Sequence, residues 1–127
     1  MRFSRDQPAI ILKAILTGRT GEAEVEMVLD TGSTYTLIAR DLAEELGYDP
    51  ATSQERVNLV TASAVERAPL ITLEAIEVLG VRVADVKVAC HDLPPDTRIA
   101  GLLGLSFLKE TNLRISFKED ILELDDP

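Results

Sequence analysis

The chain has 127 residues, a formal charge of −9, 46% hydrophobic and 28% charged residues, which suits one compact, soluble domain and argues against disorder. The acidity and the lack of a Lys/Arg cluster argue against nucleic acid or acidic membranes as partners. No apolar run approaches a membrane span, the stretch from Met1 to Pro8 has no signal-peptide core, and a single Cys90 allows no internal disulfide, so a reducing, cytoplasmic setting is expected.

Residues 1–127 read as one domain, with 1–8 as a flexible or interface N-terminal segment. Ala9 to Thr17, rich in Ile and Leu, is a predicted strand, and Gly18-Arg19-Thr20-Gly21 a turn. Ala23-Glu24-Val25-Glu26-Met27 alternates apolar with acidic and predicts a half-buried strand. The resulting hairpin ends at Asp30. Residues 40–46 predict a short helix with Leu42, Ala43 and Leu46 on one face and Gly47 as its stop. Val57, Leu59 and Thr61 alternate again and pair with a segment running toward Pro69. Residues 70–79 and 81–90 form a second hairpin around Gly80, with a bulge or bend near Ala84-Asp85 where the apolar phase slips. After Ile99 to Gly104 comes a helical stretch from Leu105 to Thr111. Leu113, Ile115 and Phe117 form an alternating strand, Lys118-Glu119-Asp120 a turn, and Ile121 to Leu124 a closing strand with an exposed edge.

The two halves look alike: each has a hairpin, a glycine-bearing turn and a short helix. The turns are Asp30-Thr31-Gly32-Ser33 and Gly101-Leu102-Leu103-Gly104, and the hairpin at 57–69 between them has no counterpart. Asp30 follows the apolar run Met27-Val28-Leu29. A carboxylate at the end of a buried strand is costly without a partner or a use. Asp, Gly and Ser also build ordinary turns, so Asp30 alone is a weak signal. The chain has no second Asp-Thr-Gly or Asp-Ser-Gly.

Val28-Leu29-Asp30-Thr31-Gly32-Ser33, Leu37-Ile38, Val60-Thr61-Ala62, Leu102-Leu103-Gly104 and Phe107-Leu108 together resemble the retropepsin-like aspartic proteases of the single-domain, retroviral type. The resemblance implies a mostly β fold: a closed β-barrel-type domain with one or two short helices and a flap hairpin. It implies an aspartic-type endopeptidase acting on extended peptide or protein substrates as a homodimer. Asp30 would be the catalytic residue, with Thr31, Gly32 and Ser33 supporting its loop. Val60, Thr61, Ala62, Ser63 and Ala64 would form the flap, and Leu102, Leu103 and Gly104 would pack behind the loop. Two features depart from the pattern. The flap tip, Ala62-Ser63-Ala64-Val65, lacks the glycine many relatives carry, and Ser106 stands where relatives often have Asp.

Two neighbouring carboxylates that share one proton can activate water and protonate the leaving amine. No metal, cofactor or covalent intermediate is required. Thr31 has a hydroxyl suited to cross-subunit hydrogen bonds. Ser33 is expected to donate to the Asp30 carboxylate, which favours its ionised form and an acid-side optimum. Val28, Leu59, Val60 and Ile99 are candidate pocket walls.

Other readings are weaker. Gly104-Leu105-Ser106-Phe107 lacks the second glycine of a nucleophile elbow. Cys90 and His91, adjacent on a strand, face opposite ways and do not form a dyad; Cys90 reads as core or interface and His91 as loop. One Cys and one His do not make a convincing zinc site. The alternative to the enzyme is a non-catalytic module of the same fold that binds peptides or dimerises.

Overall fold

The computed structural model describes residues 1–60, 64–94 and 98–126. Strands β1 (Ile11–Thr17) and β2 (Glu22–Leu29) form an antiparallel hairpin in register from Ile11 opposite Val28 to Thr17 opposite Glu22. Leu12, Ala14 and Leu16 of β1 point inward and are fully buried, whereas Glu22, Glu24 and Glu26 of β2 face solvent. This is the period-two pattern of a sheet with one wet face.

A loop leads from β2 to β3 (Thr36–Ile38) and helix α1 (Arg40–Glu45). Leu42, Ala43 and Leu46 bury the inner face of α1, and Gly47 ends it with φ +94°, a conformation that suits glycine. The first turn is capped from a distance: Asp92 Oδ1 accepts the Arg40 N–H at 3.2 Å. A short 3-10 turn at Pro50–Thr52 precedes β4 (Arg56–Val60), which pairs with the first part of β5 (Val65–Val78) as a projecting hairpin. Its predicted tip residues Thr61, Ala62 and Ser63 lie outside the described residues. Val60 beside it is 82% exposed, and its cross-strand partner Val65 is exposed too.

Strand β5 then pairs with β6 (Val81–Cys90) around Leu79 and Gly80, both at positive φ. At Asp85 the ladder is interrupted, with no Glu74–Asp85 pair, yet Leu73 faces Val86 and Ala75 faces Ala84 in the same register, so no net residue is inserted. Asp85 has φ +54°, and the buried set on β5 changes from Ile71 and Leu73 to Ile76 and Val78.

Strand β7 (Gly101–Leu103) runs into helix α2 (Leu105–Leu108). The helix is shorter than the predicted stretch to Thr111. The Thr111 amide and hydroxyl both donate to the Leu108 carbonyl, at 3.0 and 2.8 Å, and close it. Strands β8 (Asn112–Ser116) and β9 (Ile121–Asp125) make a separate two-stranded sheet. The exposed edge expected at Ile121 to Leu124 is taken in part. Leu122 exchanges hydrogen bonds with Met1, and the Phe3 N–H donates to the Asp120 carbonyl at 3.0 Å. Arg5 holds the Asp120 carboxylate at 2.9 Å.

The main sheet runs β1-β2-β7-β3-β6-β5-β4, and β1 also pairs with β5, so six strands close into a barrel. Exchanging β1, β2 and β3 for β5, β6 and β7 leaves the set of barrel pairings unchanged, with β1–β5 and β3–β7 mapping onto themselves. The β1–β2 hairpin becomes β5–β6, and the parallel pair β2–β7 becomes β6–β3. The likeness of the two halves is therefore a twofold-like symmetry of the barrel, and β4 stands outside it. Leu12, Leu16, Met27, Ile38, Leu73, Ile76, Leu103 and Phe107 fill the interior, fully buried.

Candidate active site

Asp30 stands where β2 leaves the barrel. Its N–H donates to the carbonyl of Leu103, the last residue of β7, at 3.0 Å. Its carboxylate accepts the Gly32 N–H at 3.0 Å, and the Ser33 N–H closes the turn on the Asp30 carbonyl at 3.2 Å. This is the local bonding that lets Asp hold a tight turn. The Asp30 side chain makes no ion pair among the described residues, and Asp30 is half-buried, with Thr31 and Gly32 exposed beside it. Thr31 makes no intramolecular side-chain hydrogen bond among the described residues, so its hydroxyl is available at the surface.

The Ser33 hydroxyl differs from expectation. It donates to the Tyr35 carbonyl at 2.7 Å, and its one proton is then committed away from the Asp30 carboxylate. Ser33→Ala is accordingly expected to loosen the turn, at about 0.5–1.5 kcal/mol. It should leave the pH profile of any Asp30-dependent activity in place. An optimum that moves upward in this variant would restore the bond to the carboxylate.

Behind the loop lies the second glycine motif. β7 is inserted between β2 and β3, the strands that the Asp30 loop connects. Such close backbone packing leaves no room for side chains. A Cβ at Gly101 would lie 1.9 Å from the Leu37 carbonyl oxygen, and one at Gly104 would lie 2.5 Å from the Tyr35 oxygen and 2.7 Å from the Ser33 oxygen. Leu103 is buried in the core and Leu102 pairs across to Leu37. The first turn of α2 grips the far half of the loop: the Leu105 N–H donates to the Ser33 carbonyl at 2.8 Å and the Ser106 N–H to the Thr34 carbonyl at 3.0 Å. Sequence reasoning missed Thr36, whose hydroxyl accepts the Gly104 N–H at 3.1 Å. A hydroxyl residue opening a buried strand beside the loop was the available signal.

Known proteins resemble this chain in family and in fold. A family model described as "Aspartyl protease" matches residues 16–107, most of the chain and all of the Asp30 loop. The chain belongs to the aspartyl protease family. Its fold is retropepsin-like: the crystal structure of a retropepsin-like aspartic protease from Rickettsia conorii is similar to it with a TM-score of 0.74 and 24% identity, over 99% of this chain and 88% of that one. A search of the curated proteins gives no match.

For an aspartyl protease the remaining titratable groups matter mainly by where they stand. Under the barrel's symmetry Leu29 corresponds to Cys90, and Asp30 to His91. The His91 N–H donates to the carbonyl of Ile38, the last residue of β3, at 3.0 Å, as Asp30 does to Leu103. β3 and β7 are antiparallel, so their last residues, and with them Asp30 and His91, lie at opposite ends of the pair. His91 sits in the loop after β6, and its Nε2 lies 3.0 Å from Glu66 Oε2. Among the described residues no cluster of His, Cys, Asp and Glu could hold a metal ion, and no helix is long and apolar enough to cross a membrane.

Cys90 is a core residue. Burial pushes its thiol up from the ordinary 9.0 to about 11, against a smaller opposing pull from Arg40. That is the reverse of an activated thiolate. The unfolded chain ionises first, so the stability tied to this thiol is complete below pH 9.0 and falls as pH rises through about 11. The loss is on the order of 2–3 kcal/mol. Urea midpoints from about pH 8 to about pH 11 should show this decline in the wild type and a flatter course in Cys90→Ala.

Proposed function

We propose that the protein is an aspartic endopeptidase whose site is built from two copies of the chain, each supplying Asp30. The observation that carries this is the state of that carboxylate. It is held at the barrel surface by its own turn, it makes no ion pair among the described residues, and the barrel's internal symmetry puts His91, not an acid, at the equivalent position. One such carboxylate can take a proton from water but has none for the carbonyl oxygen at the moment of attack. A second copy provides the complementary acid. The ionised Asp30 takes a proton as water attacks the scissile carbonyl, while the partner's protonated Asp30 gives its proton to the carbonyl oxygen; as the C–N bond breaks, the first Asp30 passes the proton it took from water to the departing nitrogen and a hydroxyl of the tetrahedral intermediate returns one to the partner's carboxylate. Carboxylates so close share one proton and titrate as a pair, which predicts a bell-shaped profile on the acid side.

The surroundings support this reading. Beside the loop opens a groove of about 760 Å³ lined by Phe3, Ile10, Leu29, Thr31, Ile115 and Phe117. Phe117 is 67% exposed and meets Phe3 edge-on at 6.1 Å. An exposed aromatic next to half a site suits the surface of a second copy. The β4–β5 hairpin, with Val60 and Val65 exposed near its tip, is the proposed flap, and an extended peptide would add to the sheet beneath it. A buried, unpaired Cys90 fits the proposed cytoplasmic setting.

The test is cleavage of a diverse peptide library from about pH 4 to about pH 7 by wild type and Asp30→Asn, with the mass in solution measured alongside. Cleavage by the wild-type dimer alone is expected. Cleavage that survives the substitution removes Asp30 from the mechanism, and a species of 13.9 kDa that cleaves removes the shared site. Peptide binding without cleavage by either protein would favour the non-catalytic module.

A further inference from the structure

The Ser106 side chain helps tie the half of the loop that follows Asp30 to the barrel. Its Oγ accepts the Thr36 N–H at 2.8 Å, lies 3.1 Å from Thr36 Oγ1 and lies 2.7 Å from the Lys87 carbonyl oxygen. A carbonyl can only accept, so the single Ser106 proton goes to Lys87, and the Thr36 hydroxyl supplies the proton between the two oxygens. Thr36 Oγ1 in turn accepts the Gly104 N–H at 3.1 Å. The result is a one-way chain from the start of α2, through β3, to β6. Thr36 is fully buried and cannot trade these bonds for water. The backbone of Ser106 adds a second hold, its N–H on the Thr34 carbonyl at 3.0 Å. Between these anchors and the carboxylate lies only the short turn closed by the Ser33 N–H on Asp30.

We propose that Ser106 is a positioning residue for the Asp30 carboxylate, acting through Thr36 and the backbone of residues 33–35; its effect on catalysis rests on Asp30 being the reacting group. A neutral hydroxyl serves here because it must accept from a buried N–H and donate to a carbonyl at once. A carboxylate at this position would accept from Thr36 but, ionised, would only repel the Lys87 oxygen. Removing the hydroxyl leaves the Thr36 N–H and hydroxyl without their partner and lets the loop shift. Catalysis is sensitive to displacements of that size.

Ser106→Ala is expected to lower kcat for peptide cleavage by roughly ten- to hundredfold, with KM changed by less than about twofold. Ser106→Thr, which keeps the hydroxyl, should recover most of the loss. A second readout does not depend on catalysis. Hydrogen exchange at the Asp30 and Ser33 amides should quicken by about tenfold in Ser106→Ala and return toward wild type in Ser106→Thr. Faster exchange with this rescue supports the positioning role, and if no form of the protein cleaves peptides it is the Asp30 mechanism that fails. Unaltered exchange at both amides, or a lowered melting temperature with kcat unchanged, overturns the proposal. If Ser106→Ala does not fold, Ser106→Cys, close in size with a weaker donor, is read by the same criteria.

Discussion

Asp30→Asn is expected to abolish peptide cleavage while leaving the fold and the thermal midpoint near those of the wild type. The structural bond is conserved in the variant, because an amide oxygen accepts the Gly32 N–H at 3.0 Å as the carboxylate does. No ion pair is broken, since Asp30 makes none among the described residues. What disappears is the group that gains and loses a proton. Loss of a positioned acid or base costs roughly 10²–10⁴-fold, and a symmetric substitution removes both members of the pair, so residual activity should fall at or beyond the upper figure. A tandem fusion of two chains sharpens the test. With one Asp30→Asn half, a shared site predicts an inactive fusion, whereas a site within each chain predicts about half the wild-type rate.

The second large effect is a contrast between glycines. Gly101→Ala should destabilise the protein by at least about 3 kcal/mol, enough to unfold much of it. The added Cβ falls 1.9 Å from the Leu37 oxygen and 2.9 Å from its carbonyl carbon. Both are backbone atoms of a strand paired on each side, so neither can give way. Gly32→Ala should change stability by no more than about 1 kcal/mol. Gly32 is not at a left-handed φ, and its Cβ would meet only Asp30 Oδ1, at an ordinary 3.4 Å. The single chain therefore makes no demand for glycine at position 32. The added methyl would stand beside the Asp30 carboxylate, where substrate and a second copy approach in the proposed assembly. Gly32→Ala is expected to fold and lose cleavage, and Gly101→Ala to lose both. Denaturant melts with activity assays on the same samples separate the cases, and a fully active Gly32→Ala would speak against a crowded, shared site.

The strands and the Asp30 turn were legible in the sequence, because both are written locally. Period-two alternation at Ala23 to Met27 selects a half-buried strand whatever it pairs with. An acid, a small hydroxyl residue and a glycine after such a strand select a turn that the Asp can hold with its own side chain. The repeated order of hairpin, glycine turn and short helix was legible for the same reason. Other features needed the tertiary structure, because their partners are far apart along the chain. Closure of the barrel depends on β1 meeting β5, from Ala14 opposite Val78 to Thr17 opposite Ala75. The destination of the Ser33 proton depends on where the Tyr35 carbonyl turns. The edge of β9 was not free, because the residues from Met1 to Phe3 return to it across the whole sequence. The roles of Asp92 at the start of α1 and of Ser106 behind the loop rest on contacts spanning 52 and 70 positions. A side chain's type limits what it can donate or accept, and local pattern limits the element it sits on. Which group it meets is decided only when distant strands pack.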